Sequence, residues 1–565
     1  MNEHVFNRNL LALSAKNERL GSILSSARPD PCLSFETSRT GLPVPLYESK
    51  GRRIALHSLI DPEREGERLA TAQPPEGFVV ALGLGGAYQL RPYLLSPATS
   101  GVLLIEYSAP LLRAILENLD LSELFVDPRV SILLDPKPAD IALALLSAYI
   151  PPLAGDLRTL PLVPRTKLEP EAFALASDAV RAVLERISDD YSVQAFFGRI
   201  WFRNAIRNLF LAERPTIPMK PARRAVITAA GPSLEAGIDE LLAERRRGAM
   251  VIATDTSLPA LLDRGIRPDA VVSIDCQAIS YYHFMKGIPE GIPLILDLAS
   301  PNRLARLSPS VRFFSSGHPL CGFISSRWRR FPALDTSGGN VSHAAISLAE
   351  ALGADRALLI GADFSYPDGK SYARGTYIYD YFGKAQERLD PLESRFSGFV
   401  FRTPSVLREE ETGPDGRKWY RYVTKPLMAY REHLERFAAD STIVVSAFRG
   451  RGVEIRIPPR EVGRRESRPI FAAGAANEPA AAFLERYAKL LRALPTATEP
   501  ASRHLSSLDH EGRDLWTTLL PSAAAFQRLA RQNGEGSPRR VPSAELLENT
   551  RAWALAEIAL ALDAR

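Results

Sequence analysis

A chain of 565 residues, 45% of them hydrophobic and 24% charged, has the composition of an ordinary globular protein. It is long enough for roughly three or four domains and for a core that needs no covalent staples. The net charge of +5 is small for this size, and the run Arg245-Arg246-Arg247 lacks interleaved aromatics, so a solvated helix face is expected rather than a nucleic-acid patch. Three distant cysteines, Cys32, Cys276 and Cys321, exclude a disulfide framework and a CxxC zinc site, and a reducing cytoplasm is the expected location.

Met1-Asn2-Glu3-His4 does not open a basic-then-apolar leader. The longest apolar stretch, 141–154, is shorter than the ~18 residues of a membrane span and is cut by Pro151-Pro152, so no membrane partner is expected. In chain order, a helix is predicted over 5–24, followed by short polar strands over 33–56, where Pro43 and Pro45 belong at a sheet edge. Apolar runs at 78–82, 102–105 and 130–134 then alternate with helical segments at 89–95 and 110–119. This is the βαβ pattern of a parallel sheet buried on both faces. The first domain, α/β and Rossmann-like, is expected over residues 1–155, and a helical connector over 156–215.

A second βαβ series follows. Strands are predicted at 225–228, 250–253, 270–274, 293–296, 311–314 and 357–360, with helices at 234–246, 258–263 and 340–352. Residues 365–425 lose this periodicity and are rich in Tyr, Gly, Pro and charge, as in a lid. A helix at 426–437 and a strand at 442–445 complete the predicted central domain, 216–465. From Pro479 the sequence is alanine- and leucine-rich and predicts helices at 480–494, 515–532 and 544–563, with Gly534-Glu535-Gly536-Ser537-Pro538 between the last two. The fold class is therefore α/β. A Rossmann-like, doubly wound central domain is preceded by a second Rossmann-like α/β domain and followed by a C-terminal helical domain over 466–565.

Five constellations could carry chemistry. Gly231-Pro232-Ser233-Leu234 turns from a strand into a helix and exposes backbone N–H groups to an anion, with Ser233 as cap; a plain strand–helix turn has the same sequence. Polar residues follow three successive strands: Asp255 and Thr256, then Asp275 and Gln277, then Asp297. Ligands of open α/β sheets bind beyond these carboxyl ends. Thr336-Ser337-Gly338-Gly339-Asn340 opens another helix, where glycine permits close backbone approach and Asn340 can cap. The segment from Gly361 to Tyr372 carries Asp363, Tyr366 and Tyr372 around a turn at Pro367-Asp368-Gly369, and tyrosine hydroxyls can hydrogen-bond a departing phosphate. Gly83-Leu84-Gly85-Gly86, with Glu106 about 20 residues on, is similar to a dinucleotide or S-adenosylmethionine fingerprint. His283, His318, His343 and His433 are scattered and are expected on the surface or on helix faces. No HExxH, GxSxG or Walker A pattern occurs.

The ordered set Gly231-Pro232-Ser233-Leu234, Asp275-Cys276-Gln277, Ser337-Gly338-Gly339-Asn340 and Gly361-Ala362-Asp363-Phe364-Ser365-Tyr366 resembles the motility accessory factor (Maf) family. Its members are bacterial flagellin glycosyltransferases that attach nonulosonic acids to Ser or Thr. Val80 to Gly86 and Ile105-Glu106-Tyr107 resemble that family's N-terminal domain, so the resemblance spans about 54–448. The core is also similar to bacterial CMP-sialic acid sialyltransferases and to archaeal MptE-like pterin pyrophosphokinases.

The resemblance implies a CMP-sugar donor bound by Gly231, Pro232, Ser233, Asp255, Thr256, Asp275, Gln277 and Thr336 through Asn340. It also implies Tyr366 and Tyr372 against the leaving phosphate and flagellin as acceptor, with no firm cofactor. The sialyltransferases place a catalytic histidine before the helix after the lid. Tyr422-Val423-Thr424-Lys425 stands there instead, which leaves Asp363 or a lid acid as the candidate base. The alternatives are an ATP-dependent pterin pyrophosphokinase holding Mg2+ on Asp255 and Asp275, and a non-catalytic flagellin-binding factor.

Overall fold

The structure, a computed structural model, describes residues 3–384, 386–402, 405–412, 416, 418–458, 470–471, 476–498, 501–532 and 543–564. The chain forms two compact units. One comprises Met1–Gly198 and Ala493–Trp553, the other Arg199–Arg492 and Ala554–Arg565.

In the first unit the predicted opening helix is two helices, Glu3–Lys16 and Glu18–Ser26. The chain breaks at Asn17, whose side chain leaves the helical path to accept the Leu20 N–H. Strands β1 (Leu33–Thr37), β2 (Pro43–Ser49) and β3 (Arg52–Ala55) form an antiparallel sheet of their own. Strands β4 (Gly77–Leu82), β5 (Thr99–Glu106), β6 (Val130–Leu134) and β7 (Leu157–Pro161) form a parallel sheet in the order β6-β5-β4-β7.

Strand alternation explains why β4 and β5 are apolar throughout. Val79, Ala81, Val102 and Leu104 face a core with Leu13, Leu112 and Ile115, whereas Phe78, Val80, Leu82, Leu103 and Ile105 face one with Ile141, Leu145, Phe173 and Val180. Strand β7 lies in the stretch expected as connector, and it escaped notice because Leu-Arg-Thr-Leu-Pro carries little apolar signal. The helix Pro62–Ala72 was missed for the same reason: its sequence is mostly charged, but Asp61 caps it and Pro62 starts it.

In the second unit β8 (Arg224–Thr228), β9 (Met250–Thr254), β10 (Ala270–Ser273), β11 (Leu294–Asp297), β12 (Val311–Phe314) and β13 (Arg356–Ile360) match the six predicted strands. A short β14 (Tyr366–Pro367) and the hairpin β15 (Leu407–Thr412) and β16 (Lys418–Val423) follow, and β17 (Val444–Ala447) is the last. The main sheet is seven-stranded and wholly parallel, in the order β12-β11-β10-β9-β8-β13-β17. The chain winds outward from β8 to β12, then returns to place β13 on the other side of β8. The point where the order reverses lies between β8 and β13, the place in an open parallel sheet where strand-end loops gather functional residues.

The helix Val341–Ala351 lies over β8, β9 and β10, and Ala344, Ala345 and Leu348 pack on Ile227, Ile252 and Val272. The helix Ile238–Arg246 packs on β8 and β9, and Val226, Val251 and Val271 are fully buried as well, so both faces of the sheet are covered.

The aperiodic lid is more structured than expected. It holds the helices Tyr377–Gly383 and Leu392–Val400 and a three-stranded antiparallel sheet, β14-β16-β15.

The helices expected to form one C-terminal domain are shared between the units. Ala480–Ala493 belongs to the second unit, where Phe483 and Tyr487 stack near Trp328 and Phe323. His510–Gln532 belongs to the first, where Tyr191 bonds Gln527 and Arg528 lies over Phe196. The last helix, Ala544–Asp563, supplies Glu557 to the second unit, where it pairs with Arg203. The expected linker at 534–538 lies outside the described residues.

Candidate active site

Three groups of residues stand at the carboxyl end of the main sheet. The first is a knot at the reversal point. The Gly231 N–H donates to the Gly361 carbonyl (2.8 Å), and the Ser233 N–H donates to Asp363 Oδ2 (2.8 Å). A Cβ at Gly231 would overlap the Asp363 carboxylate and the Gly361 carbonyl, so only glycine lets the loops after β8 and β13 close on each other. Asp363 is buried, which raises its carboxyl, while bonds from the Ser233 N–H and hydroxyl and from Gly452 oppose the rise. The donor that sequence reasoning aims at a ligand phosphate is thus engaged by a carboxylate of the chain itself. Asp363 ties two strand-end loops together, and its buried oxygen holds the loop that Pro232 and Ser233 begin.

A second group lies beyond β9 and β10. Asp255 is buried; Oδ2 accepts from the Ser273 hydroxyl (2.6 Å), and Oδ1 from the Thr256 N–H (2.6 Å) and hydroxyl (3.0 Å). Asp275 accepts the Gln277 N–H (2.9 Å), and its carboxyl is raised by burial and by the like charge of Asp255, with His283 opposing. Across from these carboxylates stands the lid. Burial raises the Tyr372 hydroxyl well above its ordinary range, with Tyr377, Tyr366 and Asp255 adding to the rise and Arg402 opposing it. Tyr366 and Tyr377 are raised by burial too, again against Arg402. Tyr372 and Tyr377 rings are 6.4 Å apart, and Arg402 lies 4.0 Å over the Phe399 ring. The result is a crevice with two carboxylates on the sheet side, and three protonated phenols with one guanidinium on the lid side.

The third group is the turn from Thr336 to Asn340, which is ordered by its own helix. Asn340 caps Val341–Ala351 through the His343 N–H (3.3 Å), Ser337 N–H donates to Asp335 (2.8 Å), and Gly339 N–H donates to the Thr336 carbonyl (3.1 Å). Ser337 and Gly339 are exposed at this helix start, with Tyr430 beside Gly339.

His318 corrects the expectation of a surface or helix-face position, and His283, on a helix face, gains a neighbour that the sequence does not indicate. His318 is buried against Trp201, with rings 4.9 Å apart, and burial holds its imidazole down at about 3. His283 is half-buried, on the short 3-10 helix Ala278–Phe284 that follows β10, with its ring 4.6 Å from that of Tyr377. Tyr377 was also missed. No spacing rule in the sequence joins either residue to the motifs, because the lid fold is what brings them to the crevice.

The fingerprint after β4 in the first unit is filled by the chain. Glu106 accepts the Leu84 N–H (3.1 Å) and pairs with Arg165, the Gly86 N–H donates to His57 (2.9 Å), and the Arg165 stem occupies the space where a Gly83 side chain would project. Among the described residues no group of three or more His, Cys, Asp or Glu could hold a metal ion. Asp255, one of the two carboxylates a Mg2+ site would need, has both oxygens engaged. No described helix is long and apolar enough to cross a membrane.

Residues 203–369 match the family model described as 6-hydroxymethylpterin diphosphokinase MptE-like, which covers β8 to β14 and every residue of the crevice except Tyr372, Tyr377 and Arg402. An uncharacterized protein of Treponema pallidum (strain Nichols) is 32% identical over 167 residues, 79% of its own length and 29% of this chain. The chain belongs to the MptE-like family. Another uncharacterized Treponema pallidum protein is 38% identical over 134 residues, and there the chain spans 47% of the relative's length. A solved structure of MAf glycosyltransferase from Magnetospirillum magneticum AMB-1 covers 100% of this chain and 97% of its own at a TM-score of 0.60 and 16% identity, so it shares the fold. The MptE-like region of this chain is thus set within a much longer α/β and helical framework, and the likeness to that structure extends along the whole of it.

Proposed function

We propose that the second unit is a glycosyltransferase that moves a nonulosonic, sialic-acid-like sugar from a CMP donor to Ser or Thr hydroxyls of flagellin, in support of flagellar assembly and motility. The observation that carries this reading is the lid cluster. Three phenols raised by burial gather with one guanidinium, and two of them, Tyr372 and Tyr377, feel the charge of Asp255 beyond β9. Such donors stabilise charge as it develops on a departing phosphate, and they do so without a metal. Full-length fold likeness to a protein titled a glycosyltransferase supports the same reading.

The test combines purified protein, a CMP-nonulosonate and flagellin, with the intact mass of flagellin as readout. Expected are added masses of whole sugar residues, retained in EDTA and lost in Tyr372→Phe by roughly 100-fold in rate, as for removal of one such donor. An unchanged flagellin mass in the presence of intact donor overturns the reading.

The family match favours a second reading, ATP-dependent pyrophosphoryl transfer to a hydroxymethylpterin with Mg2+. Cations of this kind are held by one or two carboxylates plus substrate phosphates, and Asp275 is the carboxylate with an oxygen to offer. Thermal stabilisation by CMP but not by ATP with Mg2+ favours sugar transfer; the reverse, with pterin-dependent ATP consumption, favours the second reading.

A further inference from the structure

We infer that His283 is the general base of the transfer reaction, an assignment that rests on the glycosyltransferase reading of this crevice. The imidazole follows β10, so the main sheet delivers it to the crevice by the same route as Asp275. Its Nδ1 is buried and has no hydrogen-bond partner. A buried polar nitrogen without a partner has lost its water and gained nothing in return, so a ligand hydroxyl that bonds there is favoured. Tyr377 of the lid helix Tyr377–Gly383 covers the ring edge-on at 4.6 Å, and Tyr282 stacks beside Tyr377 at 6.5 Å. Asp275, on the loop that leads from β10 to the helix of His283, lies close enough for a charge on the imidazole to hold its carboxyl down.

The other acids of the site are committed elsewhere. Asp255 accepts from Ser273 and Thr256, and Asp363 accepts from Ser233 in the knot between β8 and β13. His283 is the group at the crevice that combines a proton-accepting nitrogen with an anionic neighbour able to steady the imidazolium.

In the step, the acceptor oxygen attacks the anomeric carbon as its proton passes to the imidazole. The bond from that carbon to the donor's phosphate oxygen breaks, and its electron pair stays on the phosphate, where Tyr366, Tyr372 and Arg402 face it. The imidazolium, held beside the Asp275 carboxylate, later returns its proton to water, and CMP leaves as the other product.

The experiment uses the full chain with CMP-nonulosonate and flagellin, comparing wild type with His283→Ala and His283→Gln. Loss of a general base costs about 10²–10⁴ in rate. Expected is a fall in kcat of that size in both variants, with CMP affinity within about twofold of wild type and partial recovery of His283→Ala by added imidazole. Transfer by His283→Ala within about threefold of wild type overturns the assignment, as does a kcat loss that imidazole leaves unchanged while CMP affinity falls in parallel. A wild type that moves no sugar overturns the transferase reading and the base with it. An active wild type matched by its variants overturns His283 alone.

Discussion

Asp297 shows how burial at a strand end makes a single carboxyl sensitive to pH. It closes β11, is 4% exposed, and burial raises its carboxyl to about 6 from an ordinary 3.8, although the Ala299 N–H and both the hydroxyl and N–H of Ser316 pull the other way. An acid raised by folding stabilises the fold fully below its unfolded value, and that contribution is lost as pH rises through the folded value. The window therefore runs from about pH 4 to about pH 6, and a rise of some two units corresponds to on the order of 3 kcal/mol. Asp297→Asn removes the charge and keeps an acceptor for Ala299. Stability of wild type relative to the variant should fall by that order between pH 4 and pH 7, measured by urea denaturation at each pH. An equal difference at both pH values would sink the account. Asp297 sits beyond β11, as its sequence position indicates, but the buffered interior around it is a property of packing that no local pattern carries.

At the scale of elements, the lid is strapped to the sheet by a small number of polar contacts. Lys370 Nζ donates to Glu235 Oε1 at 2.7 Å, and the Arg374 N–H donates to the same oxygen at 2.8 Å. The Ala373 N–H reaches the Ala230 carbonyl at 2.8 Å, next to the Gly231 turn. Burial works to raise the Glu235 carboxyl, but Lys370 and the Arg374 N–H outweigh it and hold the group below its ordinary value. An acid lowered in this way helps the fold above its unfolded value and loses that help as pH falls through the folded one. Glu235→Ala should loosen the segment from Lys370 to Gly375 that carries Tyr372. The expected result is a several-fold rise in KM for the CMP donor with little change in kcat, and faster tryptic cleavage within the lid. Unaltered cleavage and KM would show that other contacts hold it. Strands and helices with apolar periodicity were legible in advance: β12 and the helix at 544–563 fall where hydrophobic spacing puts them. The hairpin of β15 and β16 was not, because Leu407–Thr412 reads Leu-Arg-Glu-Glu-Glu-Thr. Such a strand is specified by cross-strand pairs, among them Glu409 with Arg421 and Glu410 with Lys418, whose partners lie too far along the chain for a local pattern to reveal.

Across the whole molecule, two parallel sheets share one topological device and use it differently. Each has a reversal point, between β4 and β7 in the first unit and between β8 and β13 in the second, with a glycine turn after the inner strand. Sequence reasoning located both turns, and only the folded chain shows how each is filled. In the second unit, polar side chains and the lid's tyrosines line a crevice beyond the neighbouring strands. In the first, Arg165 enters the turn, pairs with Glu106 and Glu169, and is 1% exposed beside a Glu106 of 0%. Leu84 and Gly86 N–H groups, the donors that would approach a dinucleotide phosphate or a ribose partner, are satisfied internally by Glu106 and His57. The pair therefore works as a structural plug. Breaking a buried ion pair from one side costs about 3–5 kcal/mol, because the remaining charge is left without its partner. Arg165→Ala should lose that much, read as faster hydrogen exchange across β4 and β5, while exchange across β8 and β9 stays as in wild type. The double variant Arg165→Met with Glu106→Gln restores volume and removes both charges, so it should recover most of the loss. NAD and S-adenosylmethionine should leave the melting temperature of the wild type unmoved. A stabilising shift with either cofactor, abolished by Gly83→Ala, would instead mean that the plug yields to a ligand and that the first unit keeps a binding site.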